Sequence, residues 1–329
     1  MGRGTWIRRL VNVLACVALA ATGCAGESAE PSSPDVVQLR VAMFGGGSTL
    51  PVHAALQKGI FERNGLRIEL TEGQDLPVFM AALAKGQYDI VMSGPTLVLI
   101  GVEKGLDLQI ISSLQRSSRE RPNAVWITKD QSIDSLDKLE GKTIGVPSLT
   151  GIIADTTTYL LSRRGVNRDA IKFFQTPFAT MGDQLAAGHI EAAVASIPFN
   201  EAIAARGFRV HDDVVVEAVR EASGGSVQTA MTSVWVASQT FAREQPEAVD
   251  KWRNSMRDAI EYLETNESDA RAMMQAWLKI PAQVLDRAPL PDWDVDISPE
   301  ELAPYVTISK AVGSTKSDPD LNTLVWHRT

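Results

Sequence analysis

Histidine and cysteine, the side chains best suited to covalent, acid–base or metal chemistry, are scarce in this chain: four and two respectively in 329 residues. His53 has the most catalytic potential, because it follows Gly45-Gly46-Gly47-Ser48-Thr49 inside an expected helix near an expected cleft. An imidazole there could act as a general acid or base. No Ser, Cys or carboxylate joins it in a recognisable motif, and Gly45-Gly46-Gly47-Ser48 lacks the GxSxG pattern of a nucleophile elbow. The same stretch lacks the GK[ST] that a nucleotide loop needs. His189, His211 and His327 show no metal-ligand spacing. Cys16 and Cys24 both belong to the leader end of the chain, so its body offers no thiol nucleophile and no Cys-based metal site. What remains is the chemistry of non-covalent binding.

In open α/β sheets, ligands sit beyond the carboxyl ends of strands, where loops enter helices. That rule selects residues 44–50, 73–75, 93–96, 147–151, 177–181 and 196–200. Ser48, Thr49, Ser93, Thr96, Ser148, Thr150 and Asn200 can supply hydroxyl or amide contacts there, and Gln74 a two-way amide. Each hydroxyl could equally serve as the N-cap of its own helix. Phe44 and Phe199 are placed to sandwich a planar or apolar part of a ligand. Asp75, Gly151 and Pro198 complete the candidate set. None of the six segments contains Lys or Arg.

These turns are positioned by a unit that occurs twice. One copy runs Leu83-Ala84-Lys85-Gly86-Gln87-Tyr88-Asp89-Ile90-Val91-Met92-Ser93-Gly94-Pro95, and the other spans residues 185–198 and ends Ala195-Ser196-Ile197-Pro198. Each reads as a helix end, a glycine stop, an acidic residue, an apolar strand and a Ser/Pro turn into the next helix. Gly suits the left-handed position past a helix end, and Pro the first turn of a new one. Free N–H groups and a positive dipole end lie where such a turn opens a helix. Two copies suggest two similar α/β lobes facing one cleft.

Around these units strands and helices alternate. Strands are expected at 38–44, 66–70, 89–93 and 108–112, with helices at 51–61, 77–85 and 95–104. After a polar break at 116–123 come strands at 124–128, 143–146, 171–174 and 192–195, with helices near 151–163, 180–187 and from 199. A second break at 223–226 precedes a strand at 230–237 and an amphipathic helix at 246–264, and the remainder reads as helical. The expected division is a first lobe at 38–115, a second at 116–229, and a return of 230–329 to the first lobe, whose apolar faces it would cover.

Residues 1–23 form a basic start, an apolar run from Leu10 to Ala21 and a small-residue junction, the grammar of a secretory signal. The run is shorter than the about 20 residues of a membrane span. Ala21-Thr22-Gly23-Cys24 is similar to a bacterial lipobox, which implies lipidation of Cys24 and an anchor in the membrane. Arg8-Arg9 raises twin-arginine export beside general secretion. Residues 24–37, polar and proline-containing, read as a flexible tether. Net charge is −8, and loss of Arg3, Arg8 and Arg9 with the leader takes it to −11. Without a basic cluster, nucleic acid is excluded as a partner.

The chain resembles the solute-binding proteins of ABC importers that take up nitrate, sulfonates, taurine and thiamine-precursor pyrimidines. The residues carrying the resemblance are Leu56-Gln57-Lys58-Gly59-Ile60-Phe61 with Gly65-Leu66, the stretch 82–89, Leu139-Glu140-Gly141-Lys142-Thr143-Ile144-Gly145-Val146-Pro147, and 185–198. The resemblance implies a periplasmic-binding-protein fold of two α/β lobes, two hinge crossovers and a cleft between them. It also implies a small-molecule ligand, an ABC permease as partner, no cofactor, and a place outside the cytoplasmic membrane; the protein is expected to act as a monomer. A related branch is enzymatic, pyrimidine-phosphate synthases with a cysteine-rich segment and a cofactor-bearing lysine; those cysteines are absent here. An enzyme working through His53 is the competing expectation. For the ligand, a monoanionic sulfonate held by helix N-termini and a neutral nitrogen heterocycle read by Gln74 or Asp75 both stay open.

Overall fold

A computed structural model describes residues 36–328. The leader, Cys24 and the tether up to residue 35 lie outside the described residues.

Among the described residues, eleven strands form two sheets. They are β1 (Val37–Phe44), β2 (Leu66–Gly73), β3 (Ile90–Ser93), β4 (Gln109–Ser117), β5 (Val125–Thr128), β6 (Thr143–Val146), β7 (Lys172–Gln175), β8 (Ala192–Ala195), β9 (Arg209–Asp213), β10 (Ala230–Ala237) and β11 (Asp292–Trp293). The first sheet has the order β11-β4-β10-β3-β1-β2, the second β7-β6-β8-β5-β9. The chain leaves the first sheet between β4 and β5 and returns between β9 and β10, so two crossovers join the halves. β1 runs parallel to β2 and β3, and β10 lies antiparallel to β3 and β4. The second sheet repeats this: β6 is parallel to β7 and β8, and β5 is antiparallel to β8 and β9.

The repeated sequence unit supplies β3 and β8, the equivalent strands of the two halves. Its glycines, Gly86 and Gly188, adopt φ of 68° and 75°, the left-handed conformation that ends each preceding helix without a Cβ clash. The acidic residue three positions on is structural in both copies. Asp89 accepts the backbone N–H of Arg40 at 2.7 Å, and Glu191 accepts that of Thr143 at 2.7 Å. Each carboxylate thus holds the neighbouring parallel strand one residue before its pairing with β3 or β8 begins.

Apolar packing is continuous from one sheet to the other, through residues such as Leu50, Val91, Val98, Ile153, Phe178 and Val215. A second cluster around Trp235, Trp252 and Phe61 fills the far face of the first sheet, where the amphipathic helix Pro246–Thr265 docks. The crossover after β4 is tied to both halves. Arg119 pairs with Glu217 at 2.5 Å, beside the second sheet, while Arg121 pairs with Asp292 of β11 at 2.9 Å. Arg116 pairs with Asp294 and Glu301.

Several expectations need correction. The helix expected over 51–61 is two, Leu50–Gln57 and Ile60–Arg63, because Gly59 at φ 65° breaks the register. β4 runs on to Ser117, into the expected polar break, because β10 pairs with it along that length. Residues 209–222, for which the sequence led to no element, form β9 and the helix Val214–Ala222, capped by Asp213. The C-terminal region is not wholly helical, since β11 pairs with the end of β4.

Candidate ligand-binding site

The carboxyl ends of strands from both sheets open onto one interior cavity. Its wall takes Phe44, Ser48 and Gln74 from the first half, and Ser148, Thr150 and Phe199 from the second. Ser93, fully buried, and Gly94 end β3, while Gly151 precedes the helix Ile152–Arg163. Gly94 and Gly151 are the N-caps of the helices that start at Pro95 and Ile152. The uncapped N–H groups of a helix start therefore border the cavity from each half. Gly151 has φ of 97°, which only glycine adopts without strain, and it lies against Leu97 of the opposite half.

Five expected residues do not line the wall. Thr49 spends its hydroxyl on the loop: Oγ1 donates to the Phe44 carbonyl at 2.8 Å and accepts the Gly46 N–H at 3.2 Å. Asp75 is the exposed N-cap of the helix Leu76–Ala84, accepting the Val78 N–H at 3.2 Å. Thr96 is wholly buried away from the cavity. Pro198 caps the helix Phe199–Ala204 and faces Gly47. Asn200 is buried and acts through a neighbour, its Nδ2 donating to the Asn123 carbonyl at 3.4 Å. Asn123 lines the cavity, and its Oδ1 accepts the Ile197 N–H at 3.1 Å.

The aromatic pair is also arranged differently from the expectation. Phe178 stands between Phe44 and Phe199, 5.6 Å edge-to-face from the first and 5.8 Å near-stacked on the second. The three rings make a continuous apolar strip, not a slot between two rings.

Residues outside the six expected segments also reach the cavity: Gln115, Asn123, Thr232 and Ser233 come from the crossovers and their strands. The strand-end rule misses them because they lie on the strands that join the halves. The polar break beginning at Arg116 was the available signal. Among the described residues, none that lines the wall is charged.

His53 is outside the wall. Its ring stacks on Trp277 at 4.5 Å, its Nε2 faces Gln57 at 3.0 Å, and burial pushes its pKa down. Among the described residues, no group of three His, Cys, Asp or Glu side chains is placed to hold a metal ion, and no helix is long and apolar enough to cross a membrane.

Two α/β halves joined by two crossovers around an interior cleft define a protein of the periplasmic-binding-protein fold. More narrowly, the chain belongs to the NMT1/THI5-like family, whose model matches residues 48–270. The structure is similar to the alkanesulfonate-binding protein SsuA of Xanthomonas axonopodis pv. citri bound to MOPS. That likeness has a TM-score of 0.72 and 16% identity, covering 89% of this chain and 99% of the other. It is similar also to the periplasmic nitrate-binding protein NrtA of Synechocystis PCC 6803, with a TM-score of 0.72 at 11% identity, covering 89% and 87%. By sequence, a Haemophilus influenzae protein named for thiamine biosynthesis is 29% identical over 150 residues. That alignment takes in 44% of this chain and 46% of the relative.

Proposed function

We propose that this protein is an extracytoplasmic solute-binding lipoprotein that captures a small organic molecule between its halves and hands it to an ABC permease. The observation that carries the reading is the interior cavity, walled by matching strand ends of two equivalent sheets. A ligand there touches both halves at once and favours the closed arrangement. The secretory grammar of residues 1–23 and the Thr22-Gly23-Cys24 junction support export and anchoring. The neighbours named for alkanesulfonate and nitrate binding support a transport role, since all share this fold.

The enzymatic alternative needs His53 at the ligand, and His53 does not line the cavity. The test is the fate of a bound compound. A ligand at 100 times its Kd should stabilise the fold by about 2.7 kcal/mol and be recovered unchanged after hours. Steady turnover that His53→Ala abolishes would reverse the assignment. Two ligand classes follow from the residues and the neighbours, a taurine-like sulfonate and a neutral nitrogen heterocycle, and the charge of the cavity wall separates them.

A further inference from the structure

β4 and β10, which flank the two crossovers, pair antiparallel with Gln115 opposite Ser233, and the ladder is irregular on both sides of Ser233. Successive residues of a regular strand point to opposite faces of the sheet. Here Thr232 and Ser233 both reach the cavity wall. A β-bulge is the device that turns an extra side chain toward one face, and bulges concentrate beside binding sites. The Thr232 hydroxyl donates to the Gln115 carbonyl at 3.4 Å, which fixes the bulge to its partner strand.

The bulge brings two polar side chains together with nothing to bond. Gln115 is 3% exposed and Ser233 4%, yet Gln115 Nε2 and Ser233 Oγ find no hydrogen-bond partner among the described residues. Native proteins rarely leave such groups unsatisfied, because each keeps the full cost of its lost water. Both belong to the cavity wall, so a molecule in the cavity is the natural partner. The rest of the wall sets its character. The Phe44–Phe178–Phe199 strip and the side chains of Leu97, Ile152 and Val215 supply apolar surface. Among the described residues, no Lys or Arg lines the cavity to neutralise an anion, and no Asp or Glu to neutralise a cation. Burying an unpaired charge is costly, and ionic ligands rely on charge-assisted bonds that this wall lacks.

We propose that Gln115 and Ser233 form a polar anchor for an uncharged, largely apolar ring compound that offers a hydrogen-bond acceptor to the Gln115 amide. The proposal rests on the solute-binding reading and sharpens it. Gln115 donates through Nε2, the Ser233 hydroxyl donates or accepts beside it, and the ring system lies on the aromatic strip. Orientation and selectivity come from these two residues, and affinity from the apolar wall.

Matched probes test this: benzamide, a neutral carboxamide on a ring, against benzenesulfonate and benzoate, alongside a library of neutral heterocycles and alkyl sulfonates. Binding is read by thermal shift and calorimetry on the mature protein. Benzamide or a neutral heterocycle is expected to bind at least tenfold tighter than its anionic match. Gln115→Leu and Ser233→Ala should each weaken that binding about tenfold. The ligand-free melting temperature should hold or rise, because an unsatisfied buried group is removed. Should Gln115→Leu fold poorly, Ser233→Ala deletes only a hydroxyl and carries the test. Unchanged affinity of neutral probes in both variants overturns the anchor. Tighter binding of benzenesulfonate overturns the uncharged class while leaving the solute-binding reading intact. If no member of either arm binds, the solute-binding reading itself fails and the anchor with it.

Discussion

Gly47 sits where the two halves meet, and a single methyl group there should act on ligand binding more than on folding. A Cβ added at Gly47 would lie 2.9 Å from the Ile197 carbonyl oxygen, 3.0 Å from Pro291 Cγ and 3.4 Å from Pro198 Cδ. Its φ is not left-handed, so alanine introduces contact without backbone strain. The loop cannot easily slide away. Thr49 ties it to Phe44 and Gly46, and the Gly47 carbonyl accepts the buried Trp293 Nε1 at 3.0 Å. The Ile197 oxygen is backbone and follows β8 of the other sheet, so the cheapest relief is for the halves to part. Overpacking of this kind costs about 1–3 kcal/mol. Charged against the closed state alone, that is roughly a 5- to 150-fold loss of affinity. Gly94→Ala is the graded comparison: its Cβ would meet Ile152 no closer than 3.3 Å at Cγ2 and 3.4 Å at Cβ, against 2.9 Å to backbone at Gly47. Its effect should stay within about threefold. Calorimetry with a neutral ligand, and small-angle scattering with and without it, would show weak binding and a larger radius at saturation for Gly47→Ala. Unchanged affinity would refute the reasoning. A lower ligand-free melting temperature with unchanged affinity would place the clash on the Pro291 side, within one half.

Three further outcomes follow. His211 stacks on Trp126 at 3.6 Å and faces Thr128 at 3.0 Å; burial, with Arg209 nearby, holds its pKa down at about 4 against 6.5. The fold thus binds its proton less well than the unfolded chain does, so this contribution to stability is lost as pH falls from 6.5 toward 4. His211→Asn should flatten that part of a melting-temperature profile, and a nuclear magnetic resonance titration near 6.5 would count against it. Asp155 is buried and accepts the Ser314 hydroxyl at 2.7 Å, but burial dominates and raises its pKa above 3.8. Its ionised form is therefore disfavoured by folding, and stability falls as pH rises past 3.8. Asp155→Asn should raise the melting temperature at pH 7 and leave it nearly unchanged at pH 3.5, and a loss at pH 7 would contradict this. Mass spectrometry of native protein should find a diacylglyceryl group on an N-terminal Cys24, and a Cys24→Ala form that still partitions with membranes would count against the anchor.

What the sequence determined by itself was local. Gly86 and Gly188 end helices because their backbone needs a positive φ, and the apolar runs 90–92 and 192–195 lie in strands because nothing polar interrupts them. The turns after β1, β2, β3, β6 and β8 were legible as cavity edges for the same reason: the signal lies within a few residues of the site. Ser48, Gln74, Ser93, Ser148 and Phe199 were found that way. Only the tertiary structure decided which polar groups were free for a ligand. Thr49 and Asp75 look identical in kind to Ser48 and Gln74, and they are spent on backbone N–H groups that only a folded turn presents. Phe178 enters between Phe44 and Phe199 from a helix more than a hundred residues from Phe44. Gln115 and Ser233 meet across a bulge that exists because β4 and β10 pair at that register. The direction of a strand side chain depends on its partner strand, and a partner more than a hundred residues away leaves no mark on the local sequence.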